Sequence, residues 1–178
     1  MQLTPAAWDD PDVQRLTAAQ QAELRARYEG GLEPGTPPSA ADVAVVLVAR
    51  DAGGAAVGCG ALRPLGDGVA EIKRMYVVPA ARGRGLSRLV LAGLEAAARD
   101  RGWMTLRLET GPRQPEAIAL YEGAGYRPIA AFGAYVDEPD AGCSLYYERD
   151  LSEGGRGAAA APRNGGRHSG EGKAGRSR

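Results

Sequence analysis

The sequence predicts an α/β (α+β) domain built on a mixed β-sheet. Strand-like and helical segments alternate along the chain, and a strongly amphipathic helix lies between two apolar strands. This strand–helix–strand order predicts a parallel pair, whereas two earlier strands joined by a short turn predict an antiparallel hairpin. With 178 residues, 44% of them hydrophobic and 25% charged, the chain suits a single folded core.

The first half of the chain is predicted to hold helices and then three strands. A helix begins at Asp10-Pro11, because Asp caps helices and Pro fits the first helical position. A capping box at residues 17–20 predicts that the helix restarts at Thr17 and runs to about Tyr28. After a break rich in Gly and Pro, apolar runs bounded by turns predict strands at residues 43–48, 56–62 and 71–78.

The second half is predicted to alternate helices with strands. Its clearest helix follows Gly85 and stops at Gly102, a residue typical of helix ends. The apolar positions at helical spacing are Leu86, Leu89, Val90, Leu94 and Ala97. Further segments are predicted to be a strand at 105–109, a shorter helix at 115–123, a loop or short strand at 129–135, and a last strand at 143–148.

The composition changes sharply after Leu151. Residues 152–178 hold six Lys or Arg against two Glu, and no Val, Leu, Ile, Met or aromatic residue. We therefore expect a folded domain at residues 1–151 and a disordered tail at 152–178. The tail is predicted to be inert rather than a specific nucleic-acid partner. Neither a membrane span nor a signal peptide is predicted, so we expect no membrane partner.

Cysteine and histidine are scarce. Cys59 and Cys143 are too few and too isolated for a disulfide framework or a metal site, and we interpret both as small core residues. The one histidine, His168, lies in the tail, which excludes His-based catalysis in the folded part. These observations predict no bound metal and favour a cytoplasmic location.

The segment Arg82-Gly83-Arg84-Gly85-Leu86-Ser87 predicts an anion site between a strand and the amphipathic helix. Glycines let the backbone approach a ligand closely, and the helix N-terminus adds positive potential. Arginines suit phosphate. A polar strand-to-helix turn without a ligand is the structural alternative. The segment is neither a Walker loop nor a dinucleotide fingerprint, because position 88 is Arg where a third glycine would stand.

Two motifs resemble one family. Arg82-x-x-Gly85-x-Ser87 resembles the pyrophosphate-binding motif of GNAT acetyltransferases, with Ser87 where the family has Gly or Ala. The segment Gln114-x-x-Ala117-x-x-Leu120-Tyr121-x-x-x-Gly125-Tyr126 resembles the family's second signature, with Gln114 in place of the usual Asn. Both occur in the family's order, with one strand between them, and the resemblance covers roughly residues 40–150.

The resemblance implies the GNAT fold: a central, mixed, mostly antiparallel sheet of six to seven strands, flanked by about four helices, with splayed central parallel strands. It also implies acetyl-CoA as co-substrate. Residues 75–77 would offer backbone groups to the pantetheine arm, and an N–H of Met75 or Tyr76 would polarise the thioester carbonyl. The implied cofactor-binding residues are Met75, Tyr76, Val77, Arg82, Gly83, Arg84, Gly85, Leu86, Ser87, Gln114, Ala117 and Tyr121.

The resemblance also implies two catalytic residues. Tyr121 matches the family tyrosine that donates a proton to the departing thiolate; its structural alternative is packing on an apolar helix face. Glu71 has the spacing, eleven residues before Arg82, of the general base in the histone-acetyltransferase branch; its alternative is a salt bridge with Lys73 or Arg74. Glu109 is the second candidate for the base or for an amine anchor, with a strand-end cap as its alternative.

We therefore predict an acetyl-CoA:amine N-acetyltransferase that acts on a small amine-bearing substrate. Loops at residues 29–38, 63–64 and 132–140 are expected to recognise this substrate, with Tyr28, Tyr135 and Asp137 as candidate contacts. The alternatives are a catalytically silent acyl-CoA-binding or sensor domain, an acetyltransferase acting on a peptide or protein amine, and a nucleotide-binding protein of another family. The resemblance is also compatible with a homodimer in which the last strand pairs across chains.

Overall fold

A computed structural model describes residues 1–29, 35–137 and 144–152 of the chain. Seven strands form one sheet in the order β1-β2-β3-β4-β5-β7-β6. The strands are Gln2–Pro5 (β1), Val45–Arg50 (β2), Ala56–Gly66 (β3), Val69–Val77 (β4), Thr105–Thr110 (β5), Arg127–Ile129 (β6) and Leu145–Asp150 (β7). The helices are Pro11–Arg27 (α1), Leu86–Asp100 (α2) and Pro115–Gly123 (α3), with 3₁₀ turns at Pro79–Ala81 and Gly133–Tyr135.

The predicted fold class is confirmed, but the helix count is lower than expected. Among the strands of the described residues, β4 and β5 pair in parallel and the other five pairs are antiparallel. The described residues hold three α-helices rather than about four. One reason is that the predicted restart at Thr17 is wrong: α1 is continuous, and the Thr17 hydroxyl donates to the Val13 carbonyl at 2.9 Å, as it can inside a helix.

Helix α1 begins where the sequence predicts. Its cap residue, Asp10, accepts a hydrogen bond from the Asp12 backbone N–H at 2.8 Å, and Pro11 occupies the first helical position. The helix turns Val13 and Leu16 toward the sheet, where they pack with strand residues that include Cys59. Burial raises the pKa of the Cys59 thiol to about 12, which fits the predicted core role. Cys143 lies outside the described residues.

Helix α2 is positioned by glycines at both ends. Gly85 precedes it with a left-handed φ of 77°, and Gly102 follows it with φ of 75°, a conformation that favours glycine. The apolar face of α2 is buried, in residues that include Leu86, Val90 and Leu94. Together with α3 it covers the face of the sheet opposite α1. No helix among the described residues is long and apolar enough to cross a membrane.

The parallel strands β4 and β5 separate after three residue pairs. Pairing covers Val69–Thr105, Ala70–Leu106 and Glu71–Arg107. Beyond them β4 continues to Val77 and β5 to Thr110 without pairing to each other. The register of β4 against β3 also shifts between Cys59 and Ala61, opposite Arg74, which has a left-handed φ of 56°. Such a bulge bends a strand and increases its twist. The predicted splay is therefore confirmed.

The last strand lies inside the sheet rather than at its edge. β7 pairs with β5 on one side and with the short β6 on the other. Residues 146–148 of β7 are therefore paired on both sides within the chain, and the homodimer stays a prediction. The free edges of the described sheet belong to β1 and β6. β1 was not predicted, because four residues are too few to show a strand pattern.

A chain of ion pairs ties α1 to both sides of the split between β4 and β5. Glu23 of α1 accepts from Arg82, which follows β4, at 2.6 Å. The same carboxylate pairs with Arg27 at 2.7 Å, and Arg27 also pairs with Glu116 at the start of α3. Hydrogen bonds from Arg82 and Arg27 hold the pKa of Glu23 below its usual range. Helix α1 thus bridges the segments that follow the two separated strands.

The lowered pKa of Glu23 predicts an acid-sensitive contribution to stability. A carboxyl with a depressed pKa stabilises the fold above its unfolded pKa of 4.5, and this stabilisation is lost as the pH falls through the lower folded value. We expect Glu23→Gln to lower the free energy of unfolding by about 0.5–1 kcal/mol at pH 7 and by less as the pH falls below 4.5. Urea unfolding from pH 7 to pH 3 measures this difference.

Glu29→Gln is the control, because the Glu29 side chain is 84% exposed and 3.7 Å from Arg113. We expect its effect to be small at every pH. If Glu23→Gln lowers the free energy of unfolding by the same amount at every pH from 7 to 3, the acid sensitivity does not come from the Glu23 ion pairs.

Candidate active site

A cleft of about 1190 Å³ lies between the separated ends of β4 and β5. Five elements line it: α1, the end of β4, the start of α2, the end of β5 and α3. Of the twelve residues predicted to bind the cofactor, eleven line the cleft: Met75, Tyr76, Val77, Arg82, Gly83, Gly85, Leu86, Ser87, Gln114, Ala117 and Tyr121. Arg84 is exposed and does not line it. Two motifs distant in sequence therefore meet at one cavity.

The glycine-rich turn presents backbone to the cleft. Gly83 and Gly85 adopt left-handed φ values of 72° and 77°, and no atom lies close to the position that a side chain would take at either residue. The turn leads directly into the N-terminus of α2, where N–H groups without helical partners create positive potential. This combination suits an anionic group such as pyrophosphate.

Arg82 is held by the protein rather than pointing freely into the cleft. Its Nε donates to the Val77 carbonyl at 2.9 Å, its guanidinium pairs with Glu23, and the group lies 5.7 Å from the Tyr76 ring centre. On the same stretch of β4, the Gln20 side chain donates to the Met75 carbonyl at 3.0 Å. Side chains thus occupy two β4 carbonyls that a neighbouring strand would otherwise satisfy.

Tyr121 reaches the cleft from α3. Its side chain is 5% exposed, and its ring packs edge-to-face against Tyr126 at 5.6 Å. Burial, and next the negative charge of Glu109, raises the pKa of Tyr121 well above its ordinary value. The phenol therefore keeps its proton at neutral pH, as a general acid must. Among the described residues, none forms a hydrogen bond with this hydroxyl.

Glu71 does not line the cleft. It is fully buried, and Arg63 donates to its Oε2 from Nε at 3.0 Å and from the terminal nitrogen at 2.6 Å. The Tyr135 hydroxyl donates to Oε1 at 2.6 Å, and the Lys73 ammonium lies 3.5 Å from the same oxygen. Glu71 therefore has the contacts expected of the structural alternative, a salt-bridged carboxylate on a strand, and Arg63 is its principal partner.

We call Arg63, Glu71, Lys73 and Tyr135 the Glu71 cluster. Lys73 donates to the Tyr135 hydroxyl at 2.9 Å, so that hydroxyl links the Lys73 ammonium to the Glu71 carboxylate. Burial and the Glu71 charge raise the pKa of Tyr135 well above its ordinary value, so the phenol stays neutral. Of the four residues, Lys73 lines the cleft.

Glu109 lines the cleft from the opposite strand, β5. It accepts a hydrogen bond from the Ser144 hydroxyl at 2.7 Å. After burial, its negative charge is a further cause of the raised pKa values of Tyr121 and Tyr135. Of the two carboxylates considered from sequence, Glu109 is the one that lines the cavity holding Tyr121.

The predicted acceptor contacts are only partly brought together. Tyr28 lines the cleft, Tyr135 is buried in the Glu71 cluster, and Asp137 is exposed without lining the cleft. Residues 30–34 and 138–140 of the predicted acceptor loops lie outside the described residues. The α1 contacts of Gln20 and Glu23 could not be predicted from local patterns, because their partners are more than 50 residues away. In the described ranges, no three His, Cys, Asp or Glu side chains group as metal ligands would.

Comparisons with known proteins agree with this geometry. The chain matches the family described as Acetyltransferase (GNAT) family over residues 6–126. A protein from Azospirillum brasilense named IAA acetyltransferase is 38% identical over 133 residues, which cover 70% of this chain and 84% of that protein. A Klebsiella pneumoniae structure, of a candidate acyl-CoA N-acyltransferase, has a TM-score of 0.71 and 39% identity, covering 84% of this chain and 97% of that chain.

A more distant structure shows likeness of fold. It is a GNAT family acetyltransferase from Elizabethkingia anophelis with acetyl-CoA bound, and it has a TM-score of 0.61 and 18% identity, covering 84% of this chain and 97% of that one. The family match spans more than half of the chain and includes both motifs that line the cleft. This chain therefore belongs to the GNAT acetyltransferase family.

Proposed function

We propose that this protein transfers the acetyl group of acetyl-CoA to the primary amine of a small acceptor, by direct attack in a ternary complex. The observation that carries the proposal is the cleft at the β4–β5 split. It joins a helix N-terminus suited to pyrophosphate, a stretch of β4 that does not pair with β5, and a protonated tyrosine. The Elizabethkingia structure with acetyl-CoA bound supports this choice of co-substrate.

Each part of acetyl-CoA has a matching part of the cleft. The backbone N–H groups around Gly83, Gly85 and Leu86 would bind the pyrophosphate, aided by the N-terminus of α2. Backbone groups of residues 75–77 other than the Met75 and Val77 carbonyls, which already accept from Gln20 and Arg82, would bind the pantetheine arm, because this part of β4 has no pairing with β5. An N–H of Met75 or Tyr76 would then stabilise the oxyanion that forms on the thioester carbonyl.

The chemistry needs a base for the amine and an acid for the thiolate. The amine nitrogen attacks the thioester carbon and loses a proton; the C–N bond forms, the C–S bond breaks, and the thiolate takes a proton. We assign the acid to Tyr121, whose raised pKa keeps its proton available. The products are the N-acetylated acceptor and CoA. Holding both reactants in one cleft contributes through proximity.

We assign the base to Glu109 and a positioning role to Glu71. Glu109 lines the same cleft as Tyr121, whereas one oxygen of Glu71 already accepts from Arg63 and the other from Tyr135. Proton abstraction by Glu71 would require that buried network to break. The assignment therefore favours the carboxylate that lines the cavity.

A small acceptor is favoured over a protein amine by the contacts of Tyr28. The Tyr28 hydroxyl accepts from the Arg113 backbone N–H at 2.9 Å and packs against Gly111, so the end of α1 meets the segment that follows β5. Both Tyr28 and Gly111 line the cleft, so this contact joins two of its walls. A peptide chain lying along the cleft would have to displace it.

Thiol release is the experiment that tests the proposed function. The protein is first titrated with acetyl-CoA by calorimetry and then assayed for free thiol with primary amines, polyamines, amino acids and short peptides. Amine-dependent thiol release supports the proposal, and release with peptides alone would indicate a peptide acceptor. Binding of acetyl-CoA without turnover of any acceptor would favour the silent binding domain. The absence of acetyl-CoA binding would contradict the proposal.

Tyr121→Phe tests the acid. It removes the hydroxyl but keeps the ring, so we expect kcat to fall about 100-fold while the Kd for acetyl-CoA changes less than about threefold. The control is Tyr126→Phe, because Tyr126 packs against Tyr121 but donates its hydrogen bond to Glu95 at 3.2 Å. That variant should lose stability and keep its kcat. Equal kcat losses in the two variants would assign Tyr121 a packing role only.

Glu109→Gln and Glu71→Gln separate the two candidate bases. We expect Glu109→Gln to lower kcat about 100-fold and to remove the acidic limb of the pH–rate profile, because the base is lost. Glu71→Gln should keep that limb and lose stability instead, because it removes charge from a buried ion pair with Arg63. Steady-state kinetics from pH 5 to pH 10 measure both variants. The opposite pattern would return the base role to Glu71.

A further inference from the structure

The Glu71 cluster holds one wall of the cleft in place from behind. Gly35 and Pro37 contribute to the cavity lining, and we call residues 35–37 the loop wall. The Glu71 carboxylate does not line the cavity, but two side chains that donate hydrogen bonds to it also contact the loop wall. The buried carboxylate and the surface of the cavity are therefore joined by direct side-chain contacts.

Arg63 links the carboxylate to the backbone of the loop wall. Its Nε and Nη2 donate to Glu71 Oε2 at 3.0 and 2.6 Å, and its Nη1 donates to the Thr36 carbonyl at 2.9 Å. The same Nη1 reaches Asp42 Oδ2 at 3.3 Å, and the other Asp42 oxygen accepts from the Ser39 backbone N–H at 2.6 Å. One planar guanidinium thus holds both ends of this loop segment.

Tyr135 supports the loop wall through its ring. A Cβ at Gly35 would lie 2.5 Å from the Tyr135 ring, so the loop comes this close because residue 35 is glycine. Gly35 also has a left-handed φ of 75°. The Tyr135 hydroxyl donates to Glu71 at 2.6 Å, and this buried hydrogen bond fixes the ring against Gly35.

The loop wall lies at the start of the split between β4 and β5. Glu71 is the last residue of β4 that pairs with β5, and the Tyr135 side chain spans the distance from Glu71 to Gly35. Residues 75–77, which we assign to the pantetheine arm, come later on β4, and the turn assigned to the pyrophosphate follows the strand. Acetyl-CoA bound in this direction would therefore point its acetyl end toward the loop wall, where the acceptor amine must lie.

We propose that Arg63 and Tyr135 are positioning residues for the acceptor, and that the loop wall is the surface they position. Neither side chain lines the cavity, so each acts through residues 35–37 rather than by touching the acceptor. Glu71 is the common anchor of both. This inference rests on the proposed function and assigns part of acceptor recognition to a buried network.

Arg63→Lys tests the link to the loop wall while keeping a cation beside Glu71. A lysine ammonium can pair with the carboxylate, but it lacks the planar set of donors that also reaches Thr36. The acceptor is the amine, polyamine or amino acid that gives the fastest thiol release with the wild type. We expect its KM to rise about tenfold, while kcat and the Kd for acetyl-CoA each change less than about threefold.

Arg50→Lys is the matched control. The Arg50 Nη1 also pairs with a carboxylate, Asp12 at 2.7 Å, and donates to a carbonyl, that of Gly54, at 3.1 Å. None of these three residues lines the cleft. The control variant should keep the wild-type KM. An equal rise of KM in Arg50→Lys and Arg63→Lys would overturn the inference, because the effect would then come from a general loss of stability.

Gly35→Ala tests the contact with the Tyr135 ring. The added Cβ would displace the ring or the loop wall, so we again expect KM for the acceptor to rise about tenfold with little change in the Kd for acetyl-CoA. Gly102→Ala is the control, because Gly102 has the same φ of 75° and no atom within 4 Å of the position that a Cβ would take. Both variants carry similar backbone strain, so the contact with Tyr135 is what separates them.

Hydrogen exchange measures the positioning without an acceptor. The Val43 N–H donates to the Ser39 carbonyl at 3.0 Å, so amide exchange in a peptide covering residues 35–43 reports on the order of this loop. Arg63→Lys should speed that exchange about tenfold and leave exchange in α2 unchanged.

The outcomes separate the inference from the proposed function. Unchanged KM for the acceptor in both Arg63→Lys and Gly35→Ala would overturn the inference and leave the proposed function intact. A rise in the Kd for acetyl-CoA as large as the rise in KM would also overturn it, because the loop wall would then serve the co-substrate. The absence of thiol release from every acceptor would contradict the proposed function, and unchanged hydrogen exchange in Arg63→Lys would then overturn the positioning role of Arg63 as well.

Discussion

The separation of β4 from β5 after three residue pairs is the constraint on which the rest of the site depends. A strand that leaves its neighbour exposes backbone groups that need other partners. Here side chains satisfy some of them: Gln20 binds the Met75 carbonyl, and Arg82 binds the Val77 carbonyl. These contacts, with the Glu23 ion pairs, hold α1 over the split. The cleft is therefore maintained by side chains from outside the sheet.

The two carboxylates on either side of the split, Glu71 on β4 and Glu109 on β5, have different surroundings. Glu71 lies at the last paired position of β4, where β5 still covers the strand edge. A carboxylate there needs buried partners, and Arg63 and Tyr135 provide them. Glu109 lies two residues beyond the last pair on β5, where the cavity has opened. The point of separation thus explains why Glu71 is enclosed by the fold while Glu109, to which we assign the proton transfer, lines the cavity.

The parts of the site that local sequence determines could be predicted. Gly85 and the apolar face of α2 specify the turn and the helix, and the two motifs identified Tyr121. The Glu71 cluster could not be predicted fully, because Arg63 is set by the β3–β4 register and Tyr135 is 64 residues from Glu71. The bulge at Arg74 was also missed. No glycine marks it, since a side chain there tolerates a left-handed φ of 56° within the folded strand.

The central claim is that the glycine-rich turn binds the pyrophosphate of acetyl-CoA, and calorimetry of Gly85→Ala tests it most directly. Gly54→Ala is the matched control, because Gly54 has a similar φ of 84° and equally open surroundings in the β2–β3 turn. Both variants should lose about 1 kcal/mol of stability through left-handed strain. Only Gly85→Ala should raise the Kd for acetyl-CoA, by about tenfold. Equal affinities in the two variants, or no binding by the wild type, would contradict the account.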